Sequence, residues 1–155
     1  MNEKLLTWKE FKQTFGTHTT TNFDLLRWAK YLKIKPFYYV MRDEIKELPD
    51  PKTNIIYAIT NIHTSKERGV HHSAIYSGAD PSGHSILFFD SYALPPTKEI
   101  LEKFNHTENR ICGDEKEQLQ FITKDQQFCG QMALYFLYCV SKGLKYSQIL
   151  NKIKD

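Results

Sequence analysis

Apolar and polar positions along this chain follow two periods, and the switches between them divide it into a helical beginning, a β-rich middle and a helical end. Trp8, Phe11 and Phe15 are spaced as one face of a short helix that Gly16 ends, and Thr17 to Thr21 forms a polar, β-branched connection. A second helix, capped by Thr21 or Asn22, carries Phe23, Leu25, Leu26, Trp28, Ala29 and Leu32 as a broad apolar stripe before Pro36 stops it. Phe37 to Met41 is a short apolar run, strand or extended segment, and Glu47 to Lys52, with Pro49 and Pro51, is a loop. Three runs rich in β-branched and aromatic residues then predict strands: Ile55 to Ile62, His71 to Tyr76 and Ser85 to Asp90. Thr97 caps a helix holding Ile100, Leu101 and Phe104; Asn109 to Cys112 and Leu119 to Thr123 are two further strand candidates. An apolar helix entered at Cys129 runs to Gly143, and Tyr146 to Ile153 is a last amphipathic helix.

The segment Ser77 to Gly83 is too short and too glycine-rich to hold a helix, so the strands on either side of it pair as an antiparallel hairpin. The start of one strand then lies beside the end of the next, and His71 meets Asp90 although 19 positions separate them. No repeat, low-complexity segment or linker divides the chain, which predicts a single domain over residues 1–155. The fold class is α+β: a mostly antiparallel sheet flanked by helices, with Cys129 at the N-terminus of a central helix that is apolar on most sides.

That position gives the cysteine its chemical interest. Free N–H groups and the positive dipole end of a helix's first turn favour an anion, so a thiolate is stabilised there and its pKa falls below the ~8.5 of a free thiol. A cysteine entering a helix this apolar is otherwise simply core, but Gly130 and the polar Gln126, Gln127 and Gln131 point to an accessible helix start. With His71 as base and Asp90 as orienting carboxylate, the parts of a thiol hydrolase are present.

Composition narrows the field without choosing within it. At 155 residues, 41% hydrophobic and 25% charged, the chain is an ordinary globule long enough to bury a core without staples. The net charge of +3 is mild and its lysines and arginines are scattered among acids, the pattern of a solvated surface more than of a nucleic-acid face. Thr7-Trp8-Lys9-Glu10 interrupts the first apolar residues, so neither a signal peptide nor a membrane span is expected. Three cysteines, Cys112, Cys129 and Cys139, lack any C-x-x-C pair and suggest neither a disulfide framework, nor a zinc site, nor any other cofactor; a reducing compartment fits, and Cys139 reads as a small buried hydrophobe.

Gly69-Val70-His71-His72, then Phe88-Phe89-Asp90-Ser91-Tyr92, then a glutamine before Gln127-Phe128-Cys129-Gly130 resembles the adenovirus-type (adenain-like) maturation proteases. Their wider relatives, the ubiquitin-like-protein proteases, share the chain order His, Asp or Glu, Gln, Cys. Versions in virus-like DNA transposons and small DNA viruses are similar also in Phe37 to Leu48, in Pro95-Pro96 after Asp90-Ser91-Tyr92, and in Leu134-Tyr135-Phe136-Leu137-Tyr138 of the cysteine helix. The resemblance covers about residues 20–145 and implies an endopeptidase. Cys129 is its nucleophile, His71 its base and Asp90 its orienting group, and the Cys129 backbone N–H and a glutamine form the oxyanion hole. Relatives place that glutamine where this chain has Ile122 and Thr123; Gln120 is the preferred equivalent, with Gln118 and Gln126 as alternatives.

The resemblance also implies an extended polypeptide substrate with small residues, often glycine, before the cut, in a narrow groove for which Phe37, Tyr38, Tyr39 and His72 are candidate walls. Relatives follow the base with tryptophan, where this chain has His72. Because successive strand side chains point to opposite faces, His71 and His72 are not expected both to face the cysteine. His18, His63, His84 and His106 take the default of structural or surface roles. Adenovirus proteases are activated by a viral peptide that forms a disulfide with a cysteine upstream of the nucleophile; Cys112, 17 residues before Cys129, is the candidate here, against the plain reading of an ordinary thiol. DNA activation belongs to the same family but draws little support from the charge. The resemblance favours processing of viral structural precursors, as a monomer, in the host nucleus or cytoplasm and within the virion. Removal of ubiquitin or a ubiquitin-like protein from host conjugates is the alternative, and a non-catalytic peptide-binding module on the same fold is the second.

Overall fold

The computed structural model describes residues 4–18, 20–63, 71–80, 83–92, 94–104, 111–112 and 129–154. Helix α1 (Trp8–Phe15) starts at a capping box: Thr7 Oγ1 accepts from the Glu10 N–H at 3.1 Å while Glu10 accepts from the Thr7 N–H. Helix α2 (Asn22–Tyr31) repeats the device with Thr21 and Asp24. Its apolar stripe is narrower than expected: Leu25 and Ala29 are buried, but Phe23 is 72% and Leu26 42% exposed. The reason is the angular width of the predicted stripe, more than one packing partner can cover.

Among the described residues the sheet has five strands in chain order: β1 (Phe37–Met41), β2 (Ile56–Asn61), β3 (His72–Asp80), β4 (Gly83–Phe89) and β5 (Ile111–Cys112). The two central ladders, β2 with β3 and β3 with β4, are antiparallel, as the hairpin argument requires. Parallel ladders flank them on both sides, β1 with β2 and β4 with β5. Parallel neighbours need a crossover, supplied by the 3-10 helix Arg42–Glu47 with the loop after it and by α3 (Lys98–Phe104). Thr97 caps α3, its Oγ1 accepting from the Ile100 N–H at 3.4 Å. The hairpin strands run longer than their composition suggests, leaving only residues 81–82 between them.

Helix α4 (Cys129–Ser141) lies on one sheet face and is buried from Cys129 to Cys139, and α5 (Tyr146–Lys154) packs against it. Phe136 stacks on Phe89 with centroids 5.0 Å apart, and Tyr135 sits among Trp8 and Phe11. A helix this buried must satisfy its polar side chains internally. Tyr135 donates to the Leu6 carbonyl at 2.9 Å and Tyr138 accepts from the Leu6 N–H at 3.0 Å, while Gln131 donates to the carbonyls of Gly16 and His18. These bonds fasten the N-terminal segment along α4, Gly16 and His18 at its first turn and Leu6 farther down. A second cluster, Ile45, Ile56, Ile75, Ile86, Phe88, Ile100 and Phe104, fills the other face. No helix among the described residues is long and apolar enough to cross a membrane.

Candidate active site

The central ladders set the site. β3 and β4 pair Ala74 with Phe89, so continuing the register outward brings the residues just beyond the two strand ends together. His71 Nε2 lies 2.8 Å from Asp90 Oδ2, both side chains buried. Asp90 is itself immobilised: Oδ2 also accepts from Ser73 Oγ at 2.6 Å, and Oδ1 from the backbone N–H of Tyr92 at 2.8 Å and of Leu94 at 3.4 Å. The Tyr92 ring stacks on His71, centroids 4.2 Å apart and planes within 7°. The imidazole is thus fixed at one edge by a carboxylate and on one face by a phenol ring.

Cys129, 4% exposed, opens α4 against these groups. Burial works against its thiolate, but the two imidazoles beside it, His71 and His72, outweigh it and lower its pKa to about 6. For His71, burial opposes the charged form, while the bond to Asp90 and the neighbouring Cys129 thiolate overcome it and raise its pKa to about 9. Between those values the thiolate–imidazolium pair is the resting form. His71 Nδ1 is buried and has no hydrogen-bond partner among the described residues.

Strand alternation does not separate the two histidines. His72 Nδ1 is 3.9 Å from Cys129 Sγ, and Cys129 is coupled electrostatically to His71 as well. His71 stands one residue before β3, its carbonyl accepting from the Ile62 N–H at 3.3 Å in continuation of the β2–β3 register, and it shares with Ser73 the side of the strand that faces Asp90. Gly130 makes this crowding feasible: a Cβ there would run into Thr20 Oγ1 and come within 3.3 Å of His72 Nδ1.

Of the four candidate wall residues, His72 reaches the cysteine and Tyr39 backs it, with Tyr39 Oη 3.0 Å from His72 Nε2. Tyr38 packs on the opposite face with the Ile45 cluster, and Phe37 lines a separate cleft beside α2. Gln118, Gln120 and Gln126 fall outside the described residues, as do Leu119 to Thr123 and His106. Cys112 lies on β5 paired with Leu87, and its side chain is outside the described set, as is that of His84. His18 and His63 contribute backbone groups. Cys139 is buried and its thiol is pushed up to about 11 by desolvation, the behaviour of a core residue. No cluster of metal-ligating side chains occurs among the described residues.

Sequence reasoning missed Ser73 and the Tyr92 stack. Ser73 carried a usable signal, since it stands two positions after His71 and i, i+2 side chains share a strand face.

The chain shares its fold with a protease. Two solved structures of the ASFV pS273R protease superpose with a TM-score of 0.66 at 16% and 15% identity, covering 88% of this chain and 65% of that one. AvrA with IP6 and CoA aligns with a TM-score of 0.47 at 15% identity, over 86% of this chain and 56% of its own. This chain therefore spans about two thirds of the ASFV protease's length. No family model matches the sequence, and neither does any curated protein.

Proposed function

We propose that this protein is a cysteine endopeptidase of the ubiquitin-like-protein protease type, with Cys129 as nucleophile, His71 as base and acid, and Asp90 as the group that orients His71. The observation that carries the reading is the buried His71–Asp90 pair set beside a thiol whose pKa is lowered to about 6 at a helix start. The fold shared with the ASFV pS273R protease supports it.

The chemistry follows from the geometry. The Cys129 thiolate attacks the peptide carbonyl, and the electron pair of the C=O bond moves to oxygen. The Cys129 backbone N–H, one of the first-turn donors without an intrahelical partner, is proposed as a donor to that oxyanion. Collapse expels the amine, which takes the proton of the His71 imidazolium, and leaves a thioester on the sulfur. Neutral His71 then takes a proton from water as it attacks the thioester, and the thiolate leaves. Asp90 holds the ring through Nε2, which leaves Nδ1 as the nitrogen that exchanges the proton. Gln120 is proposed as the second oxyanion donor, on the family resemblance alone.

The substrate proposed is an extended polypeptide with glycine or another small residue before the cut, in viral structural precursors. Two electrophilic probe sets test both levels. Short glycine-ended peptides and ubiquitin-like proteins carrying a C-terminal warhead are each incubated with the wild type and His71→Ala. Labelling of Cys129 by the short peptides only, lost in His71→Ala, supports precursor processing. Labelling by the ubiquitin-like probes assigns the chain to deconjugation, and no labelling by either leaves a peptide-binding module.

A further inference from the structure

His72 is not required by that reading, yet both nitrogens of its buried ring are engaged: Nδ1 faces Cys129 Sγ at 3.9 Å and Nε2 faces Tyr39 Oη at 3.0 Å. The position of its proton can be worked out from the far end of this chain of contacts. Asn61 Oδ1 accepts from the His63 backbone N–H at 3.0 Å, and a backbone amide can only donate there. The other amide atom, Nδ2, is therefore the one that faces Tyr39 Oη, at 3.5 Å, and it donates. A phenol has one proton. With its oxygen accepting from Asn61, the acceptor that remains for that proton among the described residues is His72 Nε2. Burial raises the tyrosine's pKa above its ordinary value, so the phenol keeps its proton. A neutral imidazole that accepts at Nε2 carries its N–H on Nδ1, the atom that faces the sulfur.

We propose that His72 is a second catalytic residue, a neutral Nδ1–H donor to the Cys129 thiolate whose tautomer is set by the Asn61–Tyr39 relay. This rests on Cys129 being the nucleophile. His71 and His72 then hold one sulfur by different means, the first as a charged partner that exchanges protons, the second as a donor that does not. No proton leaves His72 in the cycle. Its hydrogen bond to the thiolate is given up as the sulfur lone pair enters the C–S bond, and it re-forms when that bond breaks and the thiolate departs. Among the described residues, the ionisable groups that reach this relay are His71 at the sulfur and Cys129 and Glu44 at the tyrosine.

The test is the rate of Cys129 alkylation by iodoacetamide against pH, which needs no substrate. Proteins compared are the wild type, Tyr39→Phe, His72→Phe and His72→Asn, each checked for folding by circular dichroism. Loss of a hydrogen bond to a charged group moves the midpoint of the profile up by about one pH unit, so His72→Phe alkylates about tenfold more slowly below it. Tyr39→Phe, which frees the tautomer but keeps the ring, shifts it in the same direction by less. His72→Asn, whose Nδ2–H overlays the imidazole Nδ1–H, recovers most of the wild-type midpoint, and adding Tyr39→Phe to it has no further effect. An unmoved midpoint in both His72→Phe and Tyr39→Phe overturns the proposal, as does His72→Asn behaving like His72→Phe. Peptide hydrolysis measured alongside separates the two readings: shifted midpoints without hydrolysis keep the donor and remove the protease, and hydrolysis with unmoved midpoints does the reverse.

Discussion

Replacing Asp90 by asparagine is expected to cost about 10^3-fold in kcat/KM while leaving the fold intact, and the structure dictates why. The new amide must place its NH2 at one of two oxygen positions. At Oδ1 it would meet the backbone N–H groups of Tyr92 and Leu94, which cannot turn into acceptors. At Oδ2 it meets Ser73 Oγ, which can rotate, and His71 Nε2, which can shift its proton to the other nitrogen. The second arrangement wins, and it puts the His71 proton on Nδ1, the atom that must receive the thiol's proton.

Two losses combine. His71 stands at about 9 rather than 6.5, which at about 1.4 kcal/mol per pH unit is about 3 kcal/mol of imidazolium stabilisation, shared between Asp90 and the Cys129 thiolate. Removing the carboxylate forfeits about 2 kcal/mol of this, and restoring the productive tautomer against the amide N–H costs about 2 kcal/mol more. The assay is kcat/KM on the best-labelled glycine-ended peptide, with 15N NMR of the imidazole to read the tautomer. Ser73→Ala, which removes a single donor to Asp90, is expected to lose less than about tenfold. A folded Asp90→Asn protein within about threefold of wild type, or one with low activity but its proton still on Nε2, refutes the tautomer argument.

The pH profile of kcat/KM should be a bell with limbs near 6 and near 9: below about 6 the thiolate takes a proton and the nucleophile is lost, and above about 9 the imidazolium gives up the proton needed by the leaving amine. A profile still rising at pH 10 would contradict the ion pair. Gly130→Ala drives a methyl into Thr20 Oγ1 and against His72, so thermal melting should show a loss of about 1–3 kcal/mol, most of it recovered by Thr20→Ala in the same chain. Brief iodoacetamide treatment at pH 7 followed by mass spectrometry should modify Cys129 and spare Cys139, since one thiol sits near 6 and the other near 11.

The parts of the fold legible in the sequence are those fixed by local chemistry. Thr21, expected to cap the second helix, does so in a capping box with Asp24, and the structure shows the same device at the first helix, where Thr7 pairs with Glu10. The hairpin was legible for a similar reason, because Ser77 to Gly83 offers no helix. Its extent was not: Gly78 reads as a turn former but lies within β3, where a Cβ would run into the Tyr76 ring, so the glycine makes room for a neighbour and does not end the strand. The parallel ladders at both edges left no trace in periodicity, since partner choice between strands depends on crossovers and not on alternation. In the site, His71 and Asp90 follow from hairpin register alone, but the Tyr39–His72 contact depends on β1 lying beside β2, which nothing local announces.

That dependence explains how one thiolate can sit among two histidines without ambiguity of role. Each imidazole takes its character from the partner on its far nitrogen. A carboxylate at His71 Nε2 favours the charged ring and so makes the opposite nitrogen a site where a proton is lent and returned. A phenol at His72 Nε2 offers one proton and no charge, and so leaves the opposite nitrogen permanently a donor. The first partner comes from the antiparallel hairpin and the second from the parallel edge strand. Exchanging the partners' chemistry should therefore exchange the roles: Tyr39→Glu places a carboxylate at His72 Nε2 and is expected to give measurable hydrolysis back to His71→Ala, whereas Tyr39→Phe is not. A His71→Ala/Tyr39→Glu protein that folds, keeps its thiol reactive and still shows no hydrolysis above His71→Ala would mean that the histidines differ by position over the scissile bond and not by partner.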